Sequence, residues 1–333
     1  MQHLLLATAA TLGLAIAAPA SAAAINPTKF VVFGDSFIDA GNVQASVGPT
    51  FTNPALGYWQ GRFSDGPTWI DYLSYAAYGQ PTRASLLGGT NFAVGGARGS
   101  GDDVQPRGTI PGLPSQLGLY GQYLAQSGQS FDPDALYVIN FGNNDVNYIQ
   151  DLLDPTDPLF DPAAVPGVAA AYVANMTGAV VTLKDLGARY ILLAGVPNPT
   201  EIEGQALQAA LDLSLDLIEP ALGQTQLLRF DYFSYFQTVL TNPTALGLPA
   251  TIDVTTPCLQ AQLPSPSIDC SNYLSFDGIH VTEAVQASLS RQIALQFGLA
   301  AIPEPQTWAM MVTGFAAAGA AIRRRTRGQL QLS

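Results

Sequence analysis

The chain has 333 residues, 48% of them hydrophobic and 11% charged, and its 25 acidic residues against 13 Lys and Arg leave a net charge of -12 at pH 7. A chain this acidic repels phosphate backbones and anionic membrane surfaces, which excludes a nucleic-acid-binding role. The length fits one large domain or two small ones.

Residues 1–22 run through Leu4, Leu6 and an Ala-rich apolar stretch to Ala20-Ser21-Ala22, the small-residue pattern that signal peptidase cleaves. They are expected to form a signal peptide, with a buried Ala-rich helix as the alternative. At the other end, Pro303-Glu304-Pro305 precedes Trp308, an apolar run to Ile322, and then Arg323, Arg324, Arg325 and Arg327. That is a stop-transfer order, with the arginines kept cytoplasmic. The run falls short of the roughly 20 residues that span a bilayer, so tilt or local thinning is expected. The tail, 303–333, resembles the PEP-CTERM sorting signal of Gram-negative bacteria. The resemblance implies transient inner-membrane anchoring and an exosortase partner that removes the anchor. Export follows, to the periplasm, the cell surface or the extracellular matrix.

Between these ends lies one domain, 23–302. Strands are expected at 29–33, 89–94, 135–141, 188–196 and 226–230. Helices are expected at 67–79, 115–127, 164–187, 201–222 and 231–240, with a last one after Val281. Apolar runs such as Tyr137-Val138-Ile139 and Tyr190-Ile191-Leu192-Leu193 suit strands buried on both faces. Strands alternating with helices imply a parallel sheet with right-handed crossovers and a site at the carboxyl ends of the strands. The stretch 151–166, with four aspartates and four prolines, reads as a loop too broken for a helix, either a lid or a solvated surface loop. Cys258 and Cys270 lie in a Pro/Ser-rich loop and are expected to form a disulfide in an oxidising compartment, stabilising the fold by roughly 2 to 3 kcal/mol. Two thiols and one histidine do not complete a structural zinc site.

Of the two histidines, His3 falls in the signal segment, so imidazole chemistry must use His280. Asp277 stands three positions earlier across a glycine turn, where it can reach Nδ1 and leave Nε2 outward. Such a pair is also a common structural feature. Ser36 follows an apolar strand in Gly34-Asp35-Ser36, where Asp35 and Ser36 could equally cap the next helix. The second glycine of the α/β-hydrolase elbow is absent, since Ile38 occupies its position. Two more strand ends offer donors for an oxyanion or plain turns: Asn91 to Arg98, with Gly95 and Gly96, and Phe141 to Asp145, with Asn144.

These four blocks together, in this order and context, resemble the SGNH (GDSL) hydrolase family. Gly61-Arg62-Phe63-Ser64-Asp65-Gly66, Trp69 to Leu73 and Gly195-Val196-Pro197 are similar to its plant-type GDSL lipase and lecithinase/haemolysin branch. The resemblance implies a three-layer α/β/α sandwich on a five-stranded parallel sheet, flavodoxin-like in layout. It assigns Ser36 as nucleophile, His280 as base and Asp277 as the group orienting it. The oxyanion donors become the Ser36 N–H, the Gly96 N–H (Gly95 if the register slips by one) and the Asn144 side chain. No metal or organic cofactor is implied. The expected activity is a serine esterase or lipase acting on lipid-like or short-chain acyl esters through an acyl-enzyme. A deacetylase of extracellular polysaccharide is the alternative, and a non-catalytic surface or matrix protein with a vestigial site is the alternative from another class. Tyr58 and Trp59 are read as exposed aromatics suited to an acyl chain or a sugar face.

Overall fold

The computed structural model describes residues 25–106, 108–197, 200–262 and 269–299. The expected signal segment and sorting tail lie outside the described residues.

The strands are β1 (Phe30–Gly34), β2 (Asp103–Gln105), β3 (Gly108–Ile110), β4 (Leu136–Asn140), β5 (Tyr190–Ala194) and β6 (Gln226–Phe230). The helices are α1 (Asn42–Val47), α2 (Trp69–Tyr78), α3 (Leu113–Ser127), α4 (Asn143–Leu153), α5 (Val165–Asp185), α6 (Ile202–Ile218), α7 (Tyr232–Thr241), α8 (Cys258–Gln262) and α9 (Glu283–Phe297). Four strands pair in parallel in the order β1-β4-β5-β6. Their first residues stand level, Phe30 against Leu136, Leu136 against Tyr190 and Tyr190 against Gln226, so their carboxyl ends form one edge.

The sheet therefore has four full strands where five were expected. The fifth segment is present beside β1, through Val32 N to Thr90 O, Phe92 N to Val32 O and Val94 N to Gly34 O. It forms an isolated bridge at Asn91. The segment is diverted because the Asn91 backbone pairs outward with the 83–85 turn and its Oδ1 accepts the Ala93 N–H.

Alternation along β1 divides its side chains between two cores. Phe30 and Val32 join Trp69, Leu73, Phe236 and Val285 on the face covered by α2, α7 and α9. Val31 and Phe33 join Leu113, Val146, Met176 and Leu211 on the face covered by α3, α4, α5 and α6. The result is the expected three-layer α/β/α arrangement, since strands buried on both faces need helices on both. Helix α4 was not expected, nor were α1, α8 and the β2–β3 pair, and α4 continues through Asp151 to Leu153 into the stretch expected as a loop. Its apolar residues Val146, Ile149 and Leu152 are buried, while its first turn is polar and faces the site loop, which hides the helical period.

A small third cluster holds the disulfide between Cys258 and Cys270, with Phe276. Behind the site, the Arg62 guanidinium donates through Nε and Nη2 to the Asp71 carboxylate, 5% and 0% exposed respectively. Asp71 also accepts from Thr68 at the start of α2, completing a capping box, and from Thr82. Because a charge left alone in such a place is costly, Arg62→Ala is expected to lower unfolding free energy by about 3 to 5 kcal/mol in urea titrations at neutral pH. A loss below about 1 kcal/mol would mean that water already reaches the pair.

Candidate active site

β1 must end in glycine. A Cβ on Gly34 would stand 2.7 Å from Ile38 Cδ1 and 2.8 Å from the Asn140 carbonyl oxygen. The buried Gln116 amide serves as a partner for Gly34, accepting its N–H and donating to its carbonyl, both at 2.9 Å. Asp35 Oδ1 then accepts the Phe37 N–H at 3.0 Å, closing the turn that presents Ser36.

The opposite loop brings His280 to it. Gly278 takes φ +101°, and Asp277 Oδ1 accepts the N–H groups of Ile279 and His280 at 2.9 and 2.8 Å. Asp277 Oδ2 takes His280 Nδ1 at 2.8 Å, and His280 Nε2 lies 2.7 Å from Ser36 Oγ. A carboxylate can only accept, so Nδ1 carries the ring proton and Nε2 is left to accept from the serine. Burial alone would raise the Asp277 carboxyl, but its hydrogen bonds to the His280 ring and to two amides, with the charge of that ring, hold it at about 2. The Phe63 ring lies over His280 at 4.9 Å between centroids. A loop and helix grip the same region from behind: Ser64 Oγ donates to the Val281 carbonyl, Asp65 Oδ1 accepts the Glu283 N–H, and Gln286 Oε1 accepts the Trp69 N–H.

The glycine and asparagine blocks meet at the same edge. Asp39 Oδ2 accepts the Gly95 N–H at 3.0 Å, so the alternative donor is already engaged. The Gly96 N–H, at φ +84°, and the Ser36 N–H donate to no acceptor among the described residues. Asn144 Nδ2 gives one hydrogen to the Ala97 carbonyl at 2.9 Å, which places its amide beside Gly96 and leaves the second hydrogen available. Asp145 accepts the N–H groups of Gly99 and Ser100, both at 2.8 Å, and so fixes the glycine loop onto α4. Every expected site residue thus lies at one end of the sheet: Ser36, Asp277, His280, Gly96 and Asn144.

Tyr58 and Trp59 behave otherwise than expected. Tyr58 is half-buried and donates to Asp277 Oδ2 at 2.9 Å, while Trp59 carries the Arg62 guanidinium 5.0 Å from its ring centroid. Tyr58 is therefore committed to Asp277, and one face of Trp59 to Arg62. Sequence reading missed the Tyr58 contact because 219 positions separate the two residues. Among the described residues, no group of three or more His, Cys, Asp or Glu side chains is arranged to hold a metal ion.

A family model described as GDSL-like Lipase/Acylhydrolase matches residues 30–293. Among curated relatives, acetylajmalan esterase 2 of Rauvolfia serpentina is 29% identical over 76% of this chain and 85% of its own length. An acetylesterase of Thermothelomyces thermophilus is 27% identical over 73% and 83%. Among solved structures, an acetylxylan esterase from Geobacillus stearothermophilus covers 82% of this chain and 96% of its own, with a TM-score of 0.43 and 16% identity.

Two carboxyls buried beside the nucleophile give the fold a pH signature. Burial, reinforced by Asp145 and Asp39 and opposed by the Phe37 N–H, raises Asp35 to about 7. Burial likewise raises Asp39 to about 6, against four amide donors led by that of Gly95. A carboxyl whose folded value lies above its unfolded value holds more protons when folded. Stability therefore falls as pH rises from about 4 to about 7. In Asp35→Asn, urea midpoints at pH 4.5 and 7.5 are expected to lie closer together than in the parent. An equal separation in both proteins would remove Asp35 as a cause.

Proposed function

The chain belongs to the GDSL-like lipase/acylhydrolase family and is a carboxylic ester hydrolase; from that premise we propose how its own residues carry the reaction. The contact that supports this reading most is the 2.7 Å approach of His280 Nε2 to Ser36 Oγ, with Nδ1 on Asp277 behind it. Ser36 Oγ attacks the ester carbonyl carbon while its proton passes to His280 Nε2. Asp277 keeps the ring in the required tautomer and faces the imidazolium that forms. The developing oxyanion takes hydrogen bonds from the Ser36 N–H, the Gly96 N–H and Asn144 Nδ2. His280 returns the proton to the departing alkoxide, leaving an acyl group on Ser36. Water, deprotonated by the same imidazole, then releases the acid.

The substrate is read as a lipid-like or short-chain acyl ester. Removal of acetyl groups from extracellular polysaccharide is the second reading. The relatives named acetylajmalan esterase and acetylesterase favour short acyl groups in either case. The blocks at 61–66, 69–73 and 195–197 support the plant-type and lecithinase/haemolysin branch. The pattern of residues 1–22 and the Cys258–Cys270 disulfide support export. The tail at 303–333 supports a PEP-CTERM signal processed by an exosortase, with final residence in the periplasm, on the surface or in the matrix. Intact mass of the exported protein tests this, and a retained C-terminus would exclude the processing.

On a p-nitrophenyl ester series from acetate to octanoate, Ser36→Ala and His280→Ala are expected to lose about 10⁴-fold or more in kcat while remaining folded. Asn144→Ala is expected to lose about 10²-fold. Activity that survives Ser36→Ala would sink the acyl-enzyme mechanism. A parent active on acetylated polysaccharide and inert beyond butyrate would favour the second substrate reading.

A further inference from the structure

Tyr58 takes no part in the steps above, yet its hydroxyl reaches the carboxylate on which they depend. Asp277 Oδ2 accepts both the His280 Nδ1 proton at 2.8 Å and the Tyr58 hydroxyl at 2.9 Å. The other oxygen is occupied by the N–H groups of Ile279 and His280. The carboxylate has about four lone-pair sites, so Tyr58 fills the last of them and leaves no place for water.

The tyrosine is itself fixed, through its ring and through the chain that follows it. Its ring stands edge-on to Phe276, 5.0 Å between centroids at 85°, and Phe276 is fully buried against the Cys258–Cys270 disulfide. The next residue, Trp59, is tied back through its N–H to the Ser64 carbonyl and through its own carbonyl to the Arg62 N–H. Arg62 is anchored in turn on Asp71. Burial first, and the Asp277 charge second, push the phenol above its ordinary value, so it remains a donor wherever the enzyme works.

Resting on the roles given above to Ser36, His280 and Asp277, we propose that Tyr58 is a positioning residue for the hydrolysis. It holds Asp277 in line with His280 Nδ1 and draws charge from the oxygen that the imidazole uses. Two donors on one oxygen compete for the same electron density, so the phenol weakens the pull of Asp277 on the imidazolium and moderates the basicity of the ring. The other titratable groups around this pair are engaged elsewhere or face the other nitrogen. Ser36 faces Nε2, Asp35 turns to the Phe37 N–H, Asp65 accepts the Glu283 N–H, Glu283 accepts from Tyr72, and Cys258 and Cys270 are joined.

Tyr58→Phe removes the hydroxyl and keeps the ring on Phe276. The full chain carries two histidines, so the ring of His280 can be followed by NMR and identified by its loss in His280→Ala. The midpoint of that titration and the acid limb of kcat/KM are expected to move together to higher pH, by about half a unit. The plateau kcat is expected to fall by up to about tenfold, with KM within about twofold. A midpoint that stays in place overturns the proposal, whether or not the melting temperature drops, because packing alone would leave the titration unmoved. The titration needs no substrate. If the midpoint moves and the parent hydrolyses no ester, the coupling stands and the esterase roles fall. If the parent is an active esterase and the midpoint does not move, the coupling alone falls.

Discussion

The chain after β1 reverses direction within a few residues, and a single buried carboxylate holds that reversal in place. Asp39 accepts the N–H groups of Gly41, Asn42 and Val43 at the start of α1 and that of Gly95 on the neighbouring loop. The same device recurs around the site: Asp145 on the amides of Gly99 and Ser100, Asp277 on those of Ile279 and His280, and Asp65 on that of Glu283. Loops lack a ladder to satisfy their backbone donors, and buried amides must bond to something. Aspartates at fixed offsets provide that partner, and in doing so they set where each reacting group points.

This arrangement carries an electrostatic cost that the sequence does not reveal. The excess of acidic residues reads naturally as a property of the surface, yet Asp35, Asp39, Asp71 and Asp145 are all buried. Removing a carboxylate from water is unfavourable unless donors replace the hydration it loses. Asp71 has Arg62, Thr68 and Thr82, and Asp39 has its amides. Asp35 is the poorly satisfied member, with Oδ2 buried and lacking a partner among the described residues. The nucleophile turn therefore carries an electrostatic cost, and it sits one residue from the attacking oxygen.

What could be read in the sequence was whatever its local pattern encodes. The four sheet strands were visible as short apolar runs because both faces of the sheet are covered, α5 was visible from its length, and α9 only as a helix following Val281. The meeting of Ser36, Asp277 and His280 was legible because Ser36 follows directly on β1 and Asp277 stands three residues before His280 across a glycine turn. What engages Gly95 and leaves Gly96 open was not legible, since it is a contact of the Gly95 amide with Asp39 across 56 positions. The fifth strand was legible as a segment but not as a bridge, because Asn91 commits its backbone to an outward turn. Helix α4 was obscured by its own task, since Asn144 and Asp145 must be polar to serve the loop they face. Tyr58 looked like a substrate platform because its partner lies at the far end of the chain.

The level register of the strands has a consequence for how such a protein can change over time. Phe30, Leu136, Tyr190 and Gln226 start the strands in step, and each strand is five residues long. One residue inserted in β1 would advance the Ser36 turn by about 3.3 Å and turn every β1 side chain beyond the insertion to the opposite core. The sheet is therefore closed to length variation, and insertions are tolerated only in the connections outside it. The exposed stretch between α4 and α5, where Leu159 and Phe160 face solvent, can lengthen or shorten without moving a reacting atom. Length can then vary there while the chemistry stays where it is.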